Sequence, residues 1–175
     1  MKILIVSDNH GDREILTTIA ATFKTSVDIM VHCGDSEMAV NDPLFESMPS
    51  VLGNNDFGQP FAKQQLLEVG TQRLLVTHGH LQNVNFTMNN LAFLAQEQHA
   101  DIVAYGHTHQ LSAIYSQGTL YVNPGSISLP RGRYARLGGT FAIVDVQSTR
   151  FTVQYYNRSM NAIPELRLEF EREKK

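Results

Sequence analysis

The residues best suited to chemistry in this 175-residue chain are histidines and carboxylates that recur just past short apolar runs. Ile102-Val103-Ala104-Tyr105 reads as a buried strand, and Gly106-His107-Thr108-His109 follows it. A glycine there lets the chain turn sharply, so that both imidazoles can face one cavity. Four earlier runs end the same way. Ile3 to Val6 leads to Asp8 and His10, and Val27 to Cys33 leads to Gly34-Asp35. Val51-Leu52 leads to Gly53-Asn54-Asn55-Asp56, and Arg73 to Val76 leads to Thr77-His78-Gly79-His80. Taken singly, each has a plain account: surface-loop histidines, or the turn-forming habit of Gly-Asn-Asn-Asp. Taken together, Asp8, His10, Asp35, Asn54, His78, His107 and His109 all lie past the ends of apolar runs. In open α/β sheets, loops at the carboxyl ends of neighbouring strands converge on one site. The joint pattern predicts a metal site. Mixed His, Asp and Asn donors without thiolate suit Mn²⁺, Fe²⁺, Ni²⁺ or Zn²⁺, whereas calcium prefers oxygen throughout.

The elements that must position these residues follow from periodicity. Ile3 to Val6 is apolar without alternation, as expected for a strand covered on both faces. A helix is predicted from about Asp12 to Phe23, with Ile15, Leu16, Ile19, Ala20 and Phe23 on one stripe and Asp12 as its cap. A second helix is expected around Met38 to Met48, limited by Pro43, and Val51-Leu52 as a third short strand. Residues 65–77 read as a hairpin turning at Gly70-Thr71. A helix from about Val84 to Gln98 carries Val84, Met88, Leu91, Ala92 and Ala95 on one face. Phe86 and Phe93 fall off that stripe, which predicts cover on two sides. Beyond residue 110 the β-α alternation gives way to hairpins: Leu111 to Tyr115 with Thr119 to Val122, then Gly139 to Val146 with Arg150 to Tyr156, and a final strand at Leu166 to Phe170. The expected fold is α/β, with two mixed β-sheets packed as a sandwich and flanked by helices.

Composition narrows the remaining classes. The length suits a single domain over residues 1–175. A net charge of -3 without a long basic run gives no support to stable nucleic-acid binding. The single cysteine, Cys33, excludes an intrachain disulfide and reads as a small core residue. No leader pattern or membrane-length apolar stretch is visible, so no membrane association and a cytoplasmic location are the default expectations.

In order, Asp-x-His, Gly-Asp, Gly-Asn-x-Asp, Thr-His-Gly-His and Gly-His-Thr-His resemble the calcineurin-like metallophosphoesterases. The short chain and the later Asn123-Pro124-Gly125-Ser126 are similar to their small bacterial and archaeal YfcE-type branch. The resemblance implies a β-sandwich flanked by helices with a dinuclear metal centre, manganese favoured. It implies that Asp8, His10, Asp35 and His109 hold one ion. Asp35 would bridge to a second ion, completed by Asn54, His78 and His107.

The chemistry such a centre would supply suits a phosphate ester. Two divalent ions bring four positive charges, of which Asp8, Asp35 and a bridging hydroxide remove three. Neutral Asn54 and neutral histidines preserve the rest. Metal binding lowers the pKa of water from about 16 towards about 7, giving a nucleophile at neutral pH. The expected activity is hydrolysis of a small phosphate ester, a phosphodiester before a monoester, by direct attack of that hydroxide. One departure from the family bears on this: many relatives carry histidine where this chain has Asn55. Asparagine can donate a hydrogen bond but supplies no proton at neutral pH, so Asn55 and His80 are the catalytic candidates around the leaving group. Asp56 is expected to hold a ligand from behind. His32 and His99 read as structural or exposed. Arg131 is the first choice for a substrate contact in the cluster Arg131, Arg133 and Arg136. Asn123 and Ser126 are candidates to line the same pocket. The alternative function is a protein-interaction scaffold on the same fold. Relatives commonly form oligomers, so a homo-oligomer is a further expectation.

Overall fold

A computed structural model describes residues 1–172. Ten strands form two five-stranded sheets. In chain order the elements are β1 (Lys2–Val6), α1 (Arg13–Phe23), β2 (Ile29–His32), α2 (Leu44–Ser47), β3 (Gln64–Val69), β4 (Gln72–Thr77), α3 (Asn89–Glu97), β5 (Ile102–Ala104), β6 (Ser112–Ser116), β7 (Thr119–Asn123), β8 (Thr140–Val146), β9 (Arg150–Asn157) and β10 (Ala162–Glu171). One sheet runs β10-β9-β8-β1-β2 and the other β3-β4-β5-β7-β6. Both are mixed. β1 and β2 pair in parallel in the first, as do β4, β5 and β7 in the second.

The continuous apolar runs are explained by cover on both faces. Ile3 and Ile5 point between the sheets and meet Leu74, Val76, Ile102, Ala104, Val122 and Val144. Leu4 and Val6, on the opposite face of β1, pack against Ile15, Leu16 and Ile19 of α1. Leu75 and Val103 face outward from the second sheet onto Leu91 and Ala95 of α3. Each parallel strand is therefore a middle layer, which leaves no room for polar alternation. Asp12 caps α1, its Oδ1 accepting the Ile15 N–H at 3.1 Å.

Four expected elements differ. The second helix shrinks to Leu44–Ser47, because Pro43 occupies its cap and the preceding residues turn rather than coil. Val51-Leu52 does not pair as a strand; an isolated bridge between His32 and Ser50 ties this segment to β2. The third helix begins at Asn89 rather than near Val84, since Asn83 takes a left-handed φ of 56° and tight turns occupy the intervening residues. Phe86 and Phe93 are 90% and 65% exposed, so α3 is covered on one side only. β10 is longer than expected and tolerates Pro164 because it is an edge strand whose register shifts between Ala162 and Arg167.

The parallel strands fix the site. The chain leaves β1 towards Asp8, β2 towards Asp35, β4 towards His78 and β5 towards His107. The two sheets thus deliver their loops to one end of the sandwich, where the His107 N–H reaches Asp8 Oδ2 at 3.3 Å and the His78 ring reaches the Cys33 carbonyl at 2.7 Å.

Candidate metal centre

Four side chains form the heart of the site. One ligand atom from each of Asp8, His10, Asp35 and His109 lies within 4.8 Å of the others. Asp8 and Asp35 are 0% and 1% exposed. Asp8 Oδ1 sits 3.2 Å from His109 Nε2, yet it is buried and accepts no hydrogen bond. A buried carboxylate oxygen without a donor is costly unless something else neutralises it. His10 Nε2 and His109 Nε2 are 3.3 Å apart, both turned towards the same space.

The second group sits beside the first. His78 Nε2 is 3.5 Å from Asp35 Oδ1 and 3.1 Å from Asn54 Oδ1. The His107 and His78 rings are 5.1 Å apart. Asp35 belongs to the first group and also lies beside His78 of the second. These donors fit divalent ions: two carboxylates for charge, imidazole nitrogens aimed inward, and one acceptor already stripped of water.

Backbone geometry shows how the loops manage this. Asp8, His10, Asp35, His107 and His109 all have positive φ, between 46° and 68°. Left-handed backbone is unfavourable for any residue with a Cβ, so these turns are held by their surroundings. Asp56 does much of the holding. It is 3% exposed, and its carboxylate accepts from the backbone N–H groups of Asp35, Gly53 and Glu37 and from the Ser36 hydroxyl, at 2.7 to 3.0 Å. Gly53 and Gly106 permit close approach: a Cβ on Gly53 would collide with Asp35, and one on Gly106 with Ser7 and Asp8.

Electrostatics follow from burial and pairing. Burial works against charge on Asp8, but the His109 imidazole and the nearby His78 outweigh it and hold the carboxyl below its ordinary range. For Asp35 burial is likewise outweighed, by His78 and by two hydrogen bonds from Asn55, so it too is lowered. His78 and His109 are raised despite burial, through Asp35 and Asp8 respectively. His107 and His80 are lowered by burial and then by His78. Both carboxylates are thus ionised at neutral pH, ready for cations.

The other candidates fall in different places. Asn55 bonds Asp35 twice, through its backbone N–H at 2.7 Å and its Nδ2 at 2.6 Å. The His80 ring lies 5.3 Å from that of His78 and 6.1 Å from that of His107, with Nδ1 buried and unpartnered. Arg131 is exposed, its N–H bonds the His109 carbonyl at 2.9 Å, and its charge is felt at His109. Asn123 and Ser126 are both 0% exposed and offer no surface to a substrate. The Asn123 amide is held by Gly106, Thr108 and Gly125, and the Ser126 hydroxyl donates to the Asp8 carbonyl at 2.7 Å. They brace the ligand loops from below, a role that a loop sequence alone does not distinguish from lining a pocket. His32 is fully buried in the core, and His99 is exposed.

Two residues near the ligands carry no expectation from the sequence. Glu37 Oε1 lies 2.7 Å from His10 Nδ1. Asn85 lies 2.8 Å from His107 Nε2. Glu37 had a signal, a carboxylate two residues after Asp35; Asn85, seven residues past His78, had none.

Comparison with known proteins agrees with this geometry. Residues 1–149 match the model of the calcineurin-like phosphoesterase superfamily domain. A probable metallophosphoesterase of Bacillus subtilis, YsnB, is 40% identical over 166 residues, spanning 95% of this chain and 96% of its own length. The crystal structure of a conserved protein of Streptococcus pneumoniae TIGR4, named a predicted phosphoesterase, superposes with a TM-score of 0.94 at 37% identity, over 98% of this chain and 97% of that one. An archaeal phosphodiesterase shares the fold at a TM-score of 0.63 and 21% identity, covering 98% and 99% of the two chains. A double-layered sheet with ligands from both layers, and a family match over most of its length, place this chain in the calcineurin-like phosphoesterase superfamily.

Proposed function

We propose that this protein hydrolyses phosphodiesters with two divalent ions, manganese favoured, held by Asp8, His10, Asp35, Asn54, His78, His107 and His109. The observation that carries the reading is the convergence of Asp8, His10, Asp35 and His109, with one ligand atom of each within 4.8 Å of the others. Bound ions would supply positive charge for phosphoryl oxygens and a water acidic enough to act as nucleophile at neutral pH.

The chain's own groups do the rest. Asp8 and Asp35 contribute only two negative charges, so a cationic centre survives to attract an anionic ester. Asp35 is oriented through both oxygens by Asn55, whose amide stands at the edge of the centre and would donate a hydrogen bond to a phosphoryl or leaving oxygen. His80, whose ring lies 5.3 Å from that of His78, is the other candidate beside a leaving oxygen. Arg131 adds one positive charge at the His109 side, where a guanidinium would orient a phosphoryl group. With Asn55 in place of a proton-donating histidine, esters with good leaving groups are preferred. A singly charged diester suits this modest set of cations better than a doubly charged monoester.

The test is hydrolysis of bis(p-nitrophenyl) phosphate and p-nitrophenyl phosphate by metal-stripped protein with Mn²⁺ restored. Turnover should require the ion and favour the diester, and Asp35→Ala should abolish it while weakening binding of both ions. Two tightly bound ions with no turnover of either ester would sink the enzymatic reading.

A further inference from the structure

Three imidazoles of the centre are held from outside it at Nδ1 and turn Nε2 towards the other candidate ligands. His78 and His109 are held through Nδ1, by the backbone carbonyls of Cys33 and Leu129, each at 2.7 Å. A carbonyl only accepts, so Nδ1 carries a proton in both, and Nε2 is the nitrogen left to face a cation. His10 is also held through Nδ1, by Glu37. His107 is the exception. Its Nε2 is the nitrogen engaged, 2.8 Å from the side-chain amide of Asn85.

We propose that Asn85 is a positioning residue that sets His107 in the opposite tautomer, its amide oxygen accepting the Nε2–H so that Nδ1 presents the lone pair to the centre. This inference rests on the dinuclear reading above. In the orientation shown, the amide nitrogen faces Nε2. Rotating the carboxamide by 180° exchanges its oxygen and nitrogen with almost no steric change. Only the rotated form leaves His107 an electron pair for a cation: if the amide donated, Nε2 would be spent and Nδ1 would carry the proton. The backbone already commits the residue to the site, with a φ of 68° and its N–H on Asp8 Oδ2 at 3.3 Å. The turn that carries Asn85 is itself fixed, by the left-handed Asn83 and by bonds from the Phe86 and Thr87 N–H groups to the Asn83 carbonyl at 2.9 and 3.2 Å.

The test begins with the metal-free, ¹⁵N-labelled protein. Long-range ¹H–¹⁵N spectra at pH 8 report which ring nitrogen bears the proton. His107 should be protonated at Nε2, and His78 and His109 at Nδ1; a His107 protonated at Nδ1 would overturn the proposal. Calorimetric titration with Mn²⁺ then compares variants. Asn85→Ala should weaken one of the two ions by about 10- to 100-fold and leave the other unchanged. Asn85→Asp keeps an acceptor and loses the donor, so it should restore affinity to within a few-fold. Affinity as poor in Asn85→Asp as in Asn85→Ala, or unchanged in both, would refute the acceptor role. A wild-type protein that binds fewer than two ions would defeat the dinuclear reading instead, while the tautomer spectrum still decides the role of Asn85.

Discussion

Replacing Gly106 by alanine should damage the centre although it replaces no candidate ligand. A Cβ at this position would collide with the Ser7 hydroxyl and stand 2.7 Å from Asp8 Oδ2 and 3.1 Å from Ser7 Cβ. The hydroxyl can swing away by changing rotamer. The carboxylate has less freedom, since the Asp8 N–H bonds the Gly34 carbonyl at 3.1 Å and its carbonyl accepts from Ser126 at 2.7 Å. To restore an ordinary 3.4 Å contact from 2.7 Å, Oδ2 must retreat by about 0.7 Å. Misplacing a reacting group by about 1 Å costs on the order of 100-fold, so a loss of about 10- to 100-fold in metal affinity and in diester turnover is expected. Overpacking should also cost about 1–3 kcal/mol of stability. Urea denaturation and Mn²⁺ calorimetry separate the two effects. Adding Ser7→Ala removes the hydroxyl clash and should recover part of the stability, but not the affinity, because the Asp8 contact persists. Wild-type affinity in the single variant would show that the close approach of Gly106 plays no part in placing Asp8.

Three further predictions follow from other contacts. His32 is buried neutral, its pKa pushed down to about 4 by burial, while Nδ1 accepts the Gly34 N–H at 3.1 Å. Below its ordinary pKa of 6.5 the unfolded chain takes up a proton that the folded chain refuses, so stability is complete above pH 6.5 and falls as pH drops towards about 4, by about 3 kcal/mol. Urea melts from pH 7.5 to 4.5 should show a shallower slope in His32→Gln, and equal slopes would reject the assignment. Glu37→Gln should weaken one bound ion by roughly 10-fold through loss of the carboxylate behind His10, with folding unchanged because Glu37 is exposed; titration of both proteins with Mn²⁺ checks it. Because His107 has a φ of 68°, His107→Gly should melt higher than His107→Ala by the equivalent of about 1 kcal/mol in the metal-free state, although neither variant retains the ligand.

Much of this arrangement was legible in the chain, and the rest was hidden for identifiable reasons. The apolar runs announced strands covered on both faces, because Ile3 to Val6 must feed two cores at once. The donors past those runs announced convergence, because parallel neighbours share a carboxyl end. Hidden were the contacts that depend on distant chain crossing at short range. Asn85 meets His107 across 22 residues, and Leu129 holds His109 across 20. A carbonyl partner leaves no trace in residue type. Asn123 and Ser126 were readable as site residues but not as braces, since whether a loop side chain faces solvent or the layer beneath is settled by packing. The overlong third helix failed for a local reason: its apolar spacing continued through a stretch that Asn83 had already turned.

The candidate ligands are divided between the two sheets. Asp8, His10 and Asp35 follow strands of one sheet, while His78, His107 and His109 follow strands of the other. The spacing between these two sets of donors is therefore a gauge of sandwich thickness, set by the volumes of Ile5, Val76, Ala104, Val122 and Ala142 in the layer between. Interiors are too densely packed to absorb an added methylene silently. A substitution such as Ala104→Val, remote in chemistry from any phosphate, would act as a shim. It would change the distance between donors of the two sheets, and so offers a way to retune reactivity while every donor residue is kept.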